Sequence, residues 1–293
     1  MRLAIRYRTL LPYLLLAPGL AWLVVFFLIP VFTLAHRSLQ KGTFAQGFEF
    51  AWRFANYPDA ISEFSEQFIR SFQFAAIATL LAFIIGYPLA YAIAFRGGRF
   101  KNLFLFLVVL PFFTTYLIRT LAWETLLADQ GQLLTALRYL KIMPVLDALN
   151  ISQDGRLLAT TTAVVAGITY NFLPFMVLPI YVSLERIDKR LVEAAQDLYA
   201  SSLRSFRRVV LPLSLPGVFA GSLLTFIPAA GDFVNAQLLG GPNQQMIGNV
   251  IQVRFLRVLD YPGAAALSFI LMASILVAVM IYARLLGTEE LTP

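Results

Sequence analysis

The chain has 293 residues, 59% of them hydrophobic and only 13% charged, with a mean hydropathy of +0.74 and a formal charge of +7. Soluble domains carry about 25% charged residues, so this apolar surplus needs a bilayer as its solvent. Cysteine is absent, which excludes a disulfide framework, thiolate metal sites and cysteine catalysis.

Six apolar stretches reach the roughly 20 residues that a spanning helix needs. The first, Leu10–Leu34, follows Arg2, Arg6 and Arg8 in the manner of a signal peptide. Its apolar run exceeds the about 7–15 residues of a signal core and no A-x-A site follows, so a retained span is expected. His36–Gln67 then carries aromatic and acidic residues before the second stretch, Phe68–Phe95. The third, Leu103–Leu127, contains three costly or interfacial residues: Arg119, Trp123 and Glu124. Asp129–Arg156 includes LLTALRYLKIM, which reads as a short helix on the membrane surface. The fourth stretch, Leu157–Leu184, holds the polar pair Tyr170 and Asn171. The fifth, Leu213–Val234, ends near Asp232 and Asn235, ahead of the turn signal LLGGPNQQ at Leu238–Gln245. The sixth is Gly263–Leu286.

Lys and Arg set the expected orientation. With the N-terminus inside, thirteen fall on inside segments and eight on the longer outside loops. Both termini are therefore expected in the cytoplasm. The basic surplus is topological, and no nucleic acid partner is needed to explain it.

Chemistry is sparse. His36 is the sole histidine, so with no cysteine a zinc cluster is not formed, and the carboxylates are scattered. Neither a nucleophile elbow nor a P-loop is present, so no catalytic residue, metal or cofactor is expected on this chain. An ionisable group inside a span costs about 2.5–3.5 kcal/mol, which makes it a functional candidate. Asp232 and Glu124 are the carboxylates so placed. Trp123 offers a ring to a cation, and Tyr170, Asn171 and Asn235 add polar atoms along a path.

The loop Glu185–Leu211 stands apart. Ile187, Leu191, Ala194/Ala195 and Leu198 draw one apolar stripe on a helix, with charges elsewhere. That pattern suits an interfacial helix, but its letters say more. Glu193-Ala194-Ala195, three residues, Tyr199, nine residues and then Val209-Val210-Leu211-Pro212 resemble the EAA loop of bacterial ABC importer permeases. The family usually has glycine where Tyr199 stands, which leaves the local turn open. LPFFTTYLIRTLAWETLL (Leu110–Leu127), FIPAAGDFVNAQLLGGPNQQMIGNVIQ (Phe226–Gln252) and DYPGAAALS (Asp260–Ser268) look like the spermidine/putrescine permeases of the PotB/PotH type.

The resemblance implies an all-α polytopic bundle of six transmembrane helices, like a type I ABC importer permease. It implies one permease domain over residues 1–293 with a coupling loop at 185–212. Glu193, Ala194, Ala195, Leu198, Leu211 and Pro212 would then meet a separate ATPase. Its implied partners are a second homologous permease, an ATPase dimer that binds ATP and Mg, an extracytoplasmic solute-binding protein and the lipid bilayer. The setting would be the bacterial inner membrane and the cargo a polyamine or another small solute. A stand-alone secondary transporter would need no ATPase, and the EAA spacing argues against it.

Overall fold

The computed structural model describes residues 2–149, 151–197 and 199–285, and leaves the side chains of residues 2–11, 189, 196 and 285 undescribed. Leu198 therefore lies outside the described residues. Among the described residues five helices are long and apolar enough to cross a membrane: Pro12–Ser38, Asn56–Arg96 (kinked at Phe64), Thr161–Glu185, Ser202–Ala230 and Tyr261–Arg284. A sixth crossing is made only if Gly98–Phe113 and Tyr116–Tyr139, bent by 92° at their junction, count as one span.

The bend falls inside the apolar stretch Leu103–Leu127. Pro111 has no N–H to continue the helix and its ring crowds the preceding turn. Leu110–Phe113 tightens into a 3₁₀ turn, and Thr114 and Thr115 then become extended, with ψ of 146° and 147°. The Thr114 hydroxyl donates to the Pro111 carbonyl at 2.7 Å, satisfying part of the interrupted backbone. Two other limits shift. The fifth spanning helix begins at Ser202 rather than Leu213, and runs through a π-turn at Phe206–Val210. Pro212 offers no N–H to the Arg208 carbonyl, and a widened turn accommodates the gap. The same helix ends at Ala230, so Asp232 lies at a corner beyond it.

The chain divides into two compact units. One ends at Glu63 and includes Ile251–Ile270. It carries the first span and a hairpin of strands Gln40–Thr43 and Gly47–Phe50. In it Arg254 bridges Glu63 at 2.6 Å and Asp260 at 2.7 Å. The lone histidine, His36, stacks on Phe50 here.

The other unit holds both candidate sites and is organised by the pair Thr161–Glu185 and Leu211–Ala230. Small residues let these helices meet, as is usual where lipid supplies no hydrophobic drive. A Cβ on Gly217 would lie 2.5 Å from the Pro179 carbonyl oxygen, and one on Gly221 would lie 3.0 Å from that of Met176. Two apolar cores flank the pair. One gathers Ile168, Leu239 and Met246, and the other Ile93, Ile180, Leu184 and Val210.

Candidate functional site

The first candidate is the charged loop between the fourth and fifth spans. Ile187 is buried with Leu184 and Val210, which anchors the start of the loop. Asp188 then accepts from the Arg190 N–H at 2.9 Å and opens the helix Lys189–Asp197. Inside this helix the expected stripe divides. Val192 packs on the core and Ala195 is half-buried, whereas Leu191, Glu193 and Ala194 are exposed. A narrow face with a small residue and a carboxylate is thus left open beside an apolar neighbour.

Tyr199 resolves the question raised by its missing glycine. Its φ is +60°, in the left-handed region, and the Ala200 N–H donates to the Ala195 carbonyl at 3.1 Å. This is the long bond of a Schellman helix end, made with a tyrosine where glycine is usual. The side chain is 96% exposed. The turn geometry that glycine favours is kept, with a ring projecting from it.

After the turn, Ser201 accepts from the Arg204 N–H at 3.4 Å and starts the next helical segment. Phe206 on the π-turn sets its ring edge-on to Tyr87 and Tyr91, at 5.8 and 5.7 Å. The Tyr87 hydroxyl in turn bonds Ser214 Oγ at 2.8 Å. At the other end of the loop Glu185 pairs with Lys101, which lies 5.5 Å from the centre of the Tyr181 ring. Leu211 is half-buried and Pro212 exposed, both continuous with the spanning helix. Packed side chains and the Glu185–Lys101 pair thus join the loop to the second, third and fifth spans.

The second candidate is a buried polar network. Asp232 is 6% exposed and is fully engaged. Its Oδ1 accepts from the Asn235 N–H at 2.9 Å, and its Oδ2 accepts from Asn235 Nδ2 at 2.7 Å and from the Tyr116 hydroxyl. Asn235 Nδ2 also reaches the Tyr116 oxygen at 2.5 Å. Asn171 Nδ2 donates to Asn235 Oδ1 and to Thr120 Oγ1, each at 3.2 Å. The third span, broken just before Tyr116, the fourth span and the corner after the fifth thus converge on one carboxylate. Gly167 permits the approach, since a Cβ there would lie 2.6 Å from Asn235 Oδ1.

Not every expected path residue joins this network. Trp123 and Tyr170 face each other, ring centres 5.5 Å apart. Glu124 is half-buried and makes no side-chain hydrogen bond or ion pair among the described residues. Tyr116 and Thr120 were not singled out by sequence, although their i, i+4 spacing after the break at Pro111–Thr115 is a signal for one polar face. Arg119 is 8% exposed beside the Phe112 and Tyr116 rings, at 5.0 and 5.8 Å from their centres. Its Nε and Nη1 have no hydrogen-bond partner among the described residues. Chemically, the described residues of the site supply a carboxylate, amides and hydroxyls, with the Arg119 guanidinium beside them.

Residues 82–287 match the family model described as binding-protein-dependent transport system inner membrane component. The chain is 36% identical over 264 residues to the spermidine/putrescine transport system permease protein PotB of Escherichia coli K12, covering 90% of this chain and 93% of the relative. The PotB of Haemophilus influenzae is 37% identical over 265 residues, covering 90% of each chain. The inner membrane ABC transporter permease protein YdcU of Escherichia coli K12 is 34% identical over 227 residues, covering 76% of this chain and 72% of that one. Among solved structures, a bacterial ABC transporter involved in import of the acidic polysaccharide alginate superposes with a TM-score of 0.68 at 18% identity, covering 98% of both chains.

Proposed function

From the premise that the chain belongs to the binding-protein-dependent transport system inner membrane component family and is an ABC importer permease of the inner membrane, we propose that its cargo is a polyamine of the spermidine/putrescine class. The identity to PotB across 90% of the chain carries this reading. The buried carboxylate among spanning helices supports it, because a multivalent cation needs an anionic stop on its route.

The working assembly in this reading pairs the chain with a second permease, an ATPase dimer that binds ATP and Mg, and an extracytoplasmic binding protein. The termini and the Glu185–Leu211 loop face the cytoplasm. Closure of the ATPases pushes the helix Lys189–Asp197 through its open Glu193–Ala194 face. The push reaches Tyr87 and Tyr91 through Phe206, and the bundle changes the side on which it is open. In the described conformation Tyr116 and Asn235 donate to Asp232. An ammonium group gains that carboxylate only when the neutral donors turn away, so occupancy and opening are linked. A site that holds cargo through such an exchange also releases it, since the internal donors return.

The test is uptake of labelled spermidine and putrescine by the assembled importer in cells lacking other polyamine uptake. ATP-dependent accumulation is expected. Accumulation of a different solute with none of either polyamine overturns the cargo assignment and leaves the family intact. Orientation is checked by Gln196→Cys in sealed cells, where an impermeant thiol reagent added outside is expected not to label it.

A further inference from the structure

We propose that the hairpin following the first span is a membrane-surface anchor whose aromatic rings lie in the lipid headgroup layer. The spanning helix Pro12–Ser38 ends one residue before the first strand of the hairpin. The joint is stiff. Asn56 Nδ2 donates to the carbonyls of Ser38 and Gln40 at 2.8 and 2.9 Å, and the Arg53 N–H donates to the Leu39 carbonyl at 3.0 Å. Ser38 Oγ also bonds the Tyr57 hydroxyl at 2.8 Å. Strands of this length extend about 13 Å, which limits how far the hairpin can rise from the end of that helix.

Its residues suit that level. His36, Phe50, Trp52 and Phe54 form a continuous ring ladder, with successive centres 4.6, 4.8 and 6.1 Å apart. Phe50, Trp52 and Phe54 are exposed, Trp52 by 65%, and Phe44 adds a further exposed ring at the turn. In the strand register Lys41 pairs with Glu49, and Gln40 with Phe50. Period-two alternation puts the ion-bearing pair on the face opposite Phe48 and Phe50. Within the strands the hairpin is therefore amphipathic, with Phe48 and Phe50 on one face and Lys41 and Glu49 on the other. Phe48 packs on Tyr261 at 5.4 Å, which leaves Phe44, Phe50, Trp52 and Phe54 as the exposed rings for an interface. Trp52 keeps this position at a φ of +46°, uncommon for a bulky residue. In water alone, such a contiguous aromatic surface would be an unfavourable exposure.

The proposal does not depend on the cargo. The chain has no cysteine, so Ala45→Cys at the turn accepts a nitroxide while leaving the ladder intact. The label is placed in the assembled importer in lipid bilayers, and its collision rates with oxygen and an aqueous nickel chelate give its depth. Wild-type rings are expected to hold it at headgroup depth. Trp52→Ser with Phe54→Ser is expected to release it to a water-like reading at unchanged abundance, while Trp52→Phe with Phe54→Tyr keeps the depth. A water-like reading with the native rings overturns the anchor. So does shielding from both reagents, which means a protein partner covers the hairpin. If the serine pair does not assemble, the native and conservative readings decide the matter.

Discussion

The two candidate regions are opposites built on one frame. The loop helix Lys189–Asp197 leaves Glu193 and Ala194 exposed, whereas Asp232 is buried and accepts from Asn235 and from the Tyr116 hydroxyl. A surface meant for another subunit is incomplete by itself, and its sequence pattern stays readable because short-range spacing defines it. A carboxylate buried among spanning helices needs partners in each conformation, because without them it has little water to solvate it. Function at the first region is expected to fail by loss of contact, and at the second by loss of exchange.

The shared frame gives the largest effect. Gly217→Leu drives a side chain into the Pro179 carbonyl, where backbone must move. Overpacking of this kind costs up to about 3 kcal/mol. The fourth and fifth spans should separate, and both regions should be lost together, seen as a collapse of membrane abundance. Normal abundance of this variant would show that the two regions do not depend on one tightly packed pair.

Ala194→Trp is the next largest and acts on one region alone. The position is open on this chain, so insertion and abundance should be unchanged. An indole on a small-residue docking face should abolish co-purification of the ATPase and uptake with it. Retained co-purification with normal uptake would mean that the open face is not the contact.

Asp232→Asn breaks the other region. It removes the charge that Tyr116 and Asn235 address, and charge-assisted hydrogen bonds contribute about 1.5–3 kcal/mol. Uptake should fall at least about tenfold while ATPase association persists, and Asp232→Glu should recover part of it. Uptake and abundance measured in the same cells separate loss of exchange from loss of folding, which would lower both in proportion.

The same contrast explains what could be read from sequence. Five spans and the EAA register follow from local periodicity and spacing. The cost of a charge in lipid singles out Asp232, but its partner Tyr116 lies on another span, and no local rule supplies that pairing. Asn171 and Asn235 were legible as polar residues near spans, whereas their mutual bond required the fold. The bend in the third stretch was not legible because hydropathy averages over Pro111, Thr114 and Thr115, and a mean apolar value does not register a missing N–H. The early start of the fifth helix escaped for a related reason. Proline usually marks a first turn, and here a π-turn carries the helix through it.

The smallest effect sharpens the comparison at Tyr199. A non-glycine residue at φ +60° costs roughly 1–2 kcal/mol, part of which glycine returns as unfolded-chain entropy. Tyr199→Gly should therefore steady the helix end by about 1 kcal/mol, roughly a fivefold gain in protection of the Ala200 amide against hydrogen exchange. That amide is the right reporter because it donates to the Ala195 carbonyl across the turn. Tyr199→Ala keeps the left-handed cost and removes only the ring. If the ring is a bystander, the alanine variant transports like the parent and the glycine variant has the more protected loop. If the ring seats on the ATPase, both variants lose uptake equally, and the tyrosine is retained for contact at the expense of the turn. We expect the first pattern, because the backbone already takes the geometry that glycine favours and the Glu193–Ala194 face is complete without the ring. Equal loss of uptake in the two variants, at normal abundance, would extend the open region to Tyr199 and make the strained turn part of the docking surface.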